Sequence, residues 1–144
     1  MQSIITESPK ETEKFAAQLA KKLINKKNNK ALVLALEGEL GGGKTTFIKG
    51  FSKALKVIEK VLSPTFVLIH KHHLKSGDLY HIDAYRLKSE KDLLKLGIKE
   101  IFNNPKNIVL IEWADRVKKI IPKTAIWIRF EHLEKNRRKI TIEQ

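Results

Sequence analysis

Ala31-Leu-Val-Leu-Ala-Leu-Glu-Gly38-Glu-Leu-Gly-Gly-Gly43-Lys44-Thr45-Thr46-Phe47 is the stretch that decides the fold. Residues 31–37 form an apolar run of strand length closed by a glycine, which predicts a strand buried on both faces. Gly38 to Thr45 then fits G-x-x-x-x-G-K-[ST] without a mismatch, a pattern that this composition would produce by accident only roughly 0.005 times. The residue types suit a phosphate chain. Gly38, Gly41, Gly42 and Gly43 let backbone N–H groups close around an anion that side chains would otherwise hold off. The helix expected over residues 45–55 adds its positive end. Lys44 is expected to reach the β- and γ-phosphates, Thr45 to hold Mg2+ and Thr46 to meet the α-phosphate, which makes a triphosphate with Mg2+ the expected ligand.

Working outward, Ser8-Pro9-Lys10-Glu11 reads as a helix start, with Ser8 as cap, Pro9 in the first position and Glu11 completing a capping box. Phe15, Ala16, Leu19, Ala20, Leu23 and Ile24 recur at helical spacing, and residues 25–29 end the helix. Residues 66–74 and 78–85 read as two strands joined at Lys75-Ser76-Gly77. Ser89 and Asp92 open a short helix that Gly97 terminates. Residues 107–113 hold a second buried strand, 115–121 a brief helix before Pro122, and 124–131 with 137–143 a closing antiparallel hairpin. Buried strands alternating with helices, plus hairpins, predict a three-layer α/β domain of the P-loop NTPase type. Its sheet should be mixed, with a mainly parallel core. At 144 residues the chain is expected to be one domain spanning 1–144.

A phosphate loop needs an acidic residue at the end of a neighbouring strand, for Mg2+ or for water activation. Asp83 follows Leu79-Tyr-His-Ile82, and Glu112 follows the four apolar residues 108–111. Each is either that acid or a solvated strand-end carboxylate. Thr65, in Ser63-Pro64-Thr65, is either a switch hydroxyl that orders against the γ-phosphate or an ordinary turn residue. Trp113 is open to two readings, as neighbour of the nucleotide or as core packing. His70, His72 and His73 suggest a metal, but strand alternation puts only the first two on one face, and no third ligand is evident.

Composition narrows the class. The 42% hydrophobic share supports a real core, and the absence of Cys excludes a disulfide scaffold, a Cys-ligated zinc site and thiol catalysis. The longest apolar run, residues 31–36, is far short of the ~20 residues of a membrane helix, and the first ten residues do not read as a secretory signal. A soluble, cytoplasmic protein is expected. The net charge of +13 comes from 24 Lys and 5 Arg against 16 acids. It permits nucleic-acid binding, but Lys spread along the chain reads more simply as a solvated surface than as the Arg-rich pattern of specific readout.

With these segments in place, the chain resembles the bacterial TsaE (YjeE) family of tRNA threonylcarbamoyladenosine biosynthesis ATPases. The matching pieces are residues 38–47, Ser63-Pro-Thr-Phe66, Leu79-Tyr-His-Ile-Asp-Ala-Tyr-Arg-Leu87, Leu96-Gly97 and Leu110-Ile-Glu-Trp113, over roughly residues 6–130. The resemblance implies a compact ATPase that joins the TsaB–TsaD pair, which modifies tRNA, and keeps that machinery turning over. It implies Walker A roles for Lys44 and Thr45, a Walker B-like role for Asp83, the switch role for Thr65, and a metal-contacting or water-positioning role for Glu112. Gly42 stands where the family often has Ala. The rival is a nucleoside-type small-molecule kinase, with Asp83 as base and Arg86 clamping phosphate. No Asn-Lys-x-Asp guanine-reading motif occurs, which disfavours a GTPase, and a basic RNA-binding module is the non-enzyme alternative.

Overall fold

The computed structural model describes residues 1–39, 43–57 and 68–144. Gly41, Gly42 and Thr65, and the Ser-Pro-Thr-Phe segment as a whole, lie outside them. The elements run β1 (Gln2–Thr6), α1 (Pro9–Ile24), β2 (Leu32–Gly38), α2 (Lys44–Ala54), β3 (Ile69–Leu74), β4 (Gly77–Asp83), α3 (Glu90–Lys95), α4 (Ile98–Asn103), β5 (Asn107–Glu112), β6 (Ile126–His132) and β7 (Arg138–Glu143). Two 3-10 segments, Ala84–Arg86 and Ala114–Ile120, follow β4 and β5.

Among the described residues the strands form one seven-stranded sheet in the order β1-β7-β6-β2-β5-β4-β3. Its four central strands, β6, β2, β5 and β4, are mutually parallel. Antiparallel pairs flank them, β3 against β4 on one side and β6–β7–β1 on the other. The α/β class with a mainly parallel core and hairpins is therefore as the sequence predicts. The central strands are apolar on both faces because both are covered. Leu34, Leu36, Leu110, Ile128 and Phe130 face α1 and α2 with Phe47, Ile48 and Phe51, and Val33, Ala35, Ile82, Val109 and Ile111 face α3 and α4 with Leu93, Ile98 and Phe102.

The local signals explain most boundaries. Ser8 caps α1 by accepting from the Glu11 N–H at 3.2 Å, while the Glu11 carboxylate accepts from the Glu7 N–H, one residue earlier than a standard capping box. Gly97 ends α3 at φ +82°, and the chain immediately starts α4, which the sequence reading omits. The strand expected to reach Tyr85 stops at Asp83, because the Asp83 side chain accepts from the Tyr85 N–H and turns the backbone into the 3-10 segment. The edge strand β1 is the other element not predicted. Among the described residues no helix is long and apolar enough to cross a membrane.

Candidate active site

The parallel register brings the candidate residues together. Leu36 of β2 pairs with Glu112 of β5, and Glu112 pairs with Asp83 of β4, so Glu112 ends the strand next to β2 and Asp83 ends the one beyond it. Gly38 has φ +142°, and a Cβ there would lie 2.4 Å from the Phe130 carbonyl oxygen, so the first glycine of the motif is also where β2 runs tightly against β6. Gly43 is the N-cap of α2 and supplies no side-chain cap. The first intrahelical bond there is from the Phe47 N–H to the Gly43 carbonyl. The N–H groups of the first turn, residues 44–46, are thus offered outward with the helix dipole behind them, an arrangement that fits an anion.

A cleft of about 280 Å³ opens at this point, lined by Gly43, Lys44, Thr45, Thr46, Glu112 and Trp113, with Pro9 and Thr12 from α1 and Asn136 and Arg138 from the β6–β7 hairpin. Thr45 is exposed and Thr46 half-buried. Lys44 is only 5% exposed. Its ammonium group donates to the Gly38 carbonyl and, at 3.1 Å, to the Glu39 carbonyl, and it lies 4.0 Å from the centre of the Trp113 ring. Burial lowers the Lys44 pKa below its ordinary value of 10.5, against the opposing pull of Glu112, Asp115, Asp83 and Glu39. A cation held, among the described residues, by carbonyls and a ring face, and acted on by four carboxylates, suits a group that turns to a polyanionic ligand when one arrives.

The two acids differ. Glu112 is buried, and its Oε2 accepts from His81 Nε2 at 2.7 Å. Asp83 is half-buried and uses Oδ1 to cap the following turn, leaving Oδ2 without a hydrogen bond among the described residues. Hard carboxylate oxygens at adjacent strand ends, with the Thr45 hydroxyl nearby, are donors of the kind Mg2+ takes. Trp113 proves to belong to the cleft. Its backbone is left-handed at φ +57°, and its ring packs on Tyr85 with centroids 5.0 Å apart. Among the residues found at or beside the site, the sequence reading does not single out Pro9, Thr12, Asp115, Asn136 and Arg138. Pro9 is read only as a helix start, and the others carry no local motif; all arrive at the site through the topology. His81 is likewise missed as a companion of His70 and His72, because it comes from the neighbouring strand, directly opposite His70. Among the described residues no group of metal-ligating side chains gathers there.

A buried parallel strand closing at Gly38, an uncapped helix start at Gly43 with Lys44 beneath it, and acids ending the next two parallel strands define a P-loop NTPase fold. The comparisons agree. The family model for "Threonylcarbamoyl adenosine biosynthesis protein TsaE" matches residues 6–140, and the chain belongs to the TsaE family. The Bacillus subtilis protein named tRNA threonylcarbamoyladenosine biosynthesis protein TsaE is 38% identical over 109 residues, 76% of this chain and 67% of its own. The Rickettsia felis protein of that name is 34% identical over 140 residues, 96% of this chain and 78% of its own. The crystal structure of Bacillus subtilis YdiB superposes with a TM-score of 0.76 at 30% identity, covering 98% of this chain and 83% of that one.

Proposed function

We propose that the protein is a cytoplasmic Mg-ATP hydrolase, folded as one domain over residues 1–144, that supports a TsaB–TsaD pair in threonylcarbamoyladenosine modification of tRNA. The observation that carries the reading is the convergence of Lys44 and Glu112 on the start of α2, at the cleft that Thr45 also lines, with Asp83 outside the lining but paired with Glu112 at the end of the next strand. Bound Mg2+ would neutralise charge on the phosphate oxygens, held by Thr45 with Asp83 or Glu112. Lys44 exchanges its carbonyl partners for the β- and γ-phosphates and stabilises charge that develops on transfer. The glycines of the loop, Gly38, Gly41, Gly42 and Gly43, and the N–H of Thr46 wrap the phosphate chain. Glu112, buried and fixed at one oxygen, orients the attacking water. Thr65 serves as the switch hydroxyl, and Trp113 shields the site from bulk solvent.

Membership of the TsaE family supports the partner role. With a single phosphate loop, ATP binding favours one state of a complex and hydrolysis releases it, so the isolated protein turns over slowly. The experiment is to incubate the protein with ATP and Mg2+, with and without TsaB and TsaD, and to follow phosphate release, complex formation and repeated rounds of tRNA modification. A nucleotide-dependent complex with more rounds of modification supports the proposal. A phosphorylated small-molecule acceptor in place of free phosphate would establish the kinase alternative.

A further inference from the structure

We propose that His81 is a positioning residue that holds Glu112 in working orientation and keeps it off Lys44; this rests on the hydrolase reading above. His81 and Glu112 are on adjacent parallel strands, two residues out of register, with side chains on the same sheet face. That diagonal places Nε2 2.7 Å from Oε2, with the His81 side chain 2% exposed and that of Glu112 9%. A carboxylate only accepts, so Nε2 carries the proton and donates.

Three observations separate this from ordinary core packing. First, His81 Nδ1 is buried and has no hydrogen-bond partner among the described residues. An imidazole with one orphaned nitrogen is a poor filler beside Leu79 and Leu110, so its place there rests on the bond that the other nitrogen makes to Glu112. Second, the bond commits one oxygen of Glu112 and leaves Oε1 without a hydrogen bond among the described residues, on a residue that lines the cleft. Third, Glu112 is the carboxylate acting most strongly on Lys44, yet the ammonium group bonds to carbonyls instead. A buried carboxylate without its histidine would satisfy itself on the nearest cation. The loop lysine would then be neutralised by an internal ion pair and lost to the phosphates. His70, opposite His81, is held towards its neutral form by burial and by the neighbouring His81 and His72, so it brings no competing cation to this side.

The test compares wild type, His81→Leu and His81→Gln, each alone and with Glu112→Gln. It reads kcat and KM for ATP, and the Mg2+ concentration needed for tight ATP binding by calorimetry. Removing an outer partner of a ligating carboxylate typically costs about 10–100-fold. His81→Leu should lower kcat by that factor with KM changed by less than about twofold, and should raise the Mg2+ midpoint. His81→Gln, whose amide N–H sits near the Nε2 position, should recover most of both. In the Glu112→Gln background, His81→Leu should have no further effect, because it acts through that carboxylate. Wild-type kcat and Mg2+ dependence in His81→Leu, or effects of the two substitutions that multiply in full, overturn the proposal. If wild type binds Mg-ATP without hydrolysing it, the hydrolase reading fails while the Mg2+ midpoint still decides the role of His81. Should His81→Leu not fold, His81→Asn, which draws the donor back from Glu112, takes its place.

Discussion

Replacing Lys44 with Ala separates binding from folding, and the structure sets both magnitudes. In the ligand-free fold the ammonium group is buried, and desolvation outweighs the four nearby carboxylates. Its loss therefore removes an unfavourable charge along with two hydrogen bonds to carbonyls that border an open cleft and can take water. These effects oppose each other, so the free variant should melt within about 3 °C of wild type. The scale comes from an unfolding entropy of about 2.1 cal/mol/K per residue, which over this chain gives roughly 3 °C per kcal/mol. At ATP about a hundredfold above Kd, wild type gains about 2.7 kcal/mol, or about 8–9 °C on the same scale. Removing a charge-assisted contact worth about 2–3 kcal/mol should cut that shift to below about 3 °C. Thermal melts with and without Mg-ATP read both quantities, and turnover should fall at least ~10²-fold. The folded pKa of Lys44 lies below the unfolded value of 10.5, so the unfolded chain keeps the proton longer. Wild-type stability should therefore gain a contribution as pH rises through that window, and the variant should lack it. A full ATP shift in a well-folded Lys44→Ala protein would refute the assignment, and so would a free variant that unfolds.

Asp83→Asn and Glu112→Gln should each impair Mg2+-dependent hydrolysis far more than melting temperature; an acid whose replacement leaves turnover unchanged is only a strand-end carboxylate. Gly50→Ala should destabilise by about 1–3 kcal/mol, because overpacking exceeds the helix gain of about 1 kcal/mol. The added Cβ would sit 2.4 Å from the Glu13 carbonyl oxygen and 2.7 Å from its Cα, in the contact between α1 and α2. An unchanged denaturant midpoint would show that the helices part freely. His70 resists protonation in the fold, while the unfolded chain takes up the proton near pH 6.5, so stability should fall as pH drops through and below that value. His70→Phe should flatten the acid side of the stability profile, and an unaltered profile would place the sensitivity elsewhere.

The centre of the fold was legible because its signals are local. Ser8, the apolar run of β2 and the Gly-Lys-Thr pattern each act within a few residues, and Asp83 and Glu112 stand where apolar runs end. The missed pieces depend on partners far along the chain. β1 has one buried residue in five and pairs with β7 as an edge, so alternation gives it little signature. α4 is a six-residue helix whose start depends on the left-handed Gly97. Arg138 and Asn136 reach the cleft because the β6–β7 hairpin stands beside β2, and Thr12 because α1 packs on α2. Asp115 follows from a left-handed turn at Trp113 that no glycine announces.

The pairing of β1 with β7 has a consequence for synthesis. Gln2 aligns with Ile142 and Thr6 with Arg138, so β1 has to wait for β7 before it can pair. Pro9 and Thr12 form one wall of the cleft, and Asn136 and Arg138 another, so the walls meet only after the β6–β7 hairpin has emerged. A nascent chain can display its glycine loop and lysine well before it owns a closed nucleotide pocket. The cleft thus takes shape late and all at once, when the β6–β7 hairpin docks beside β2.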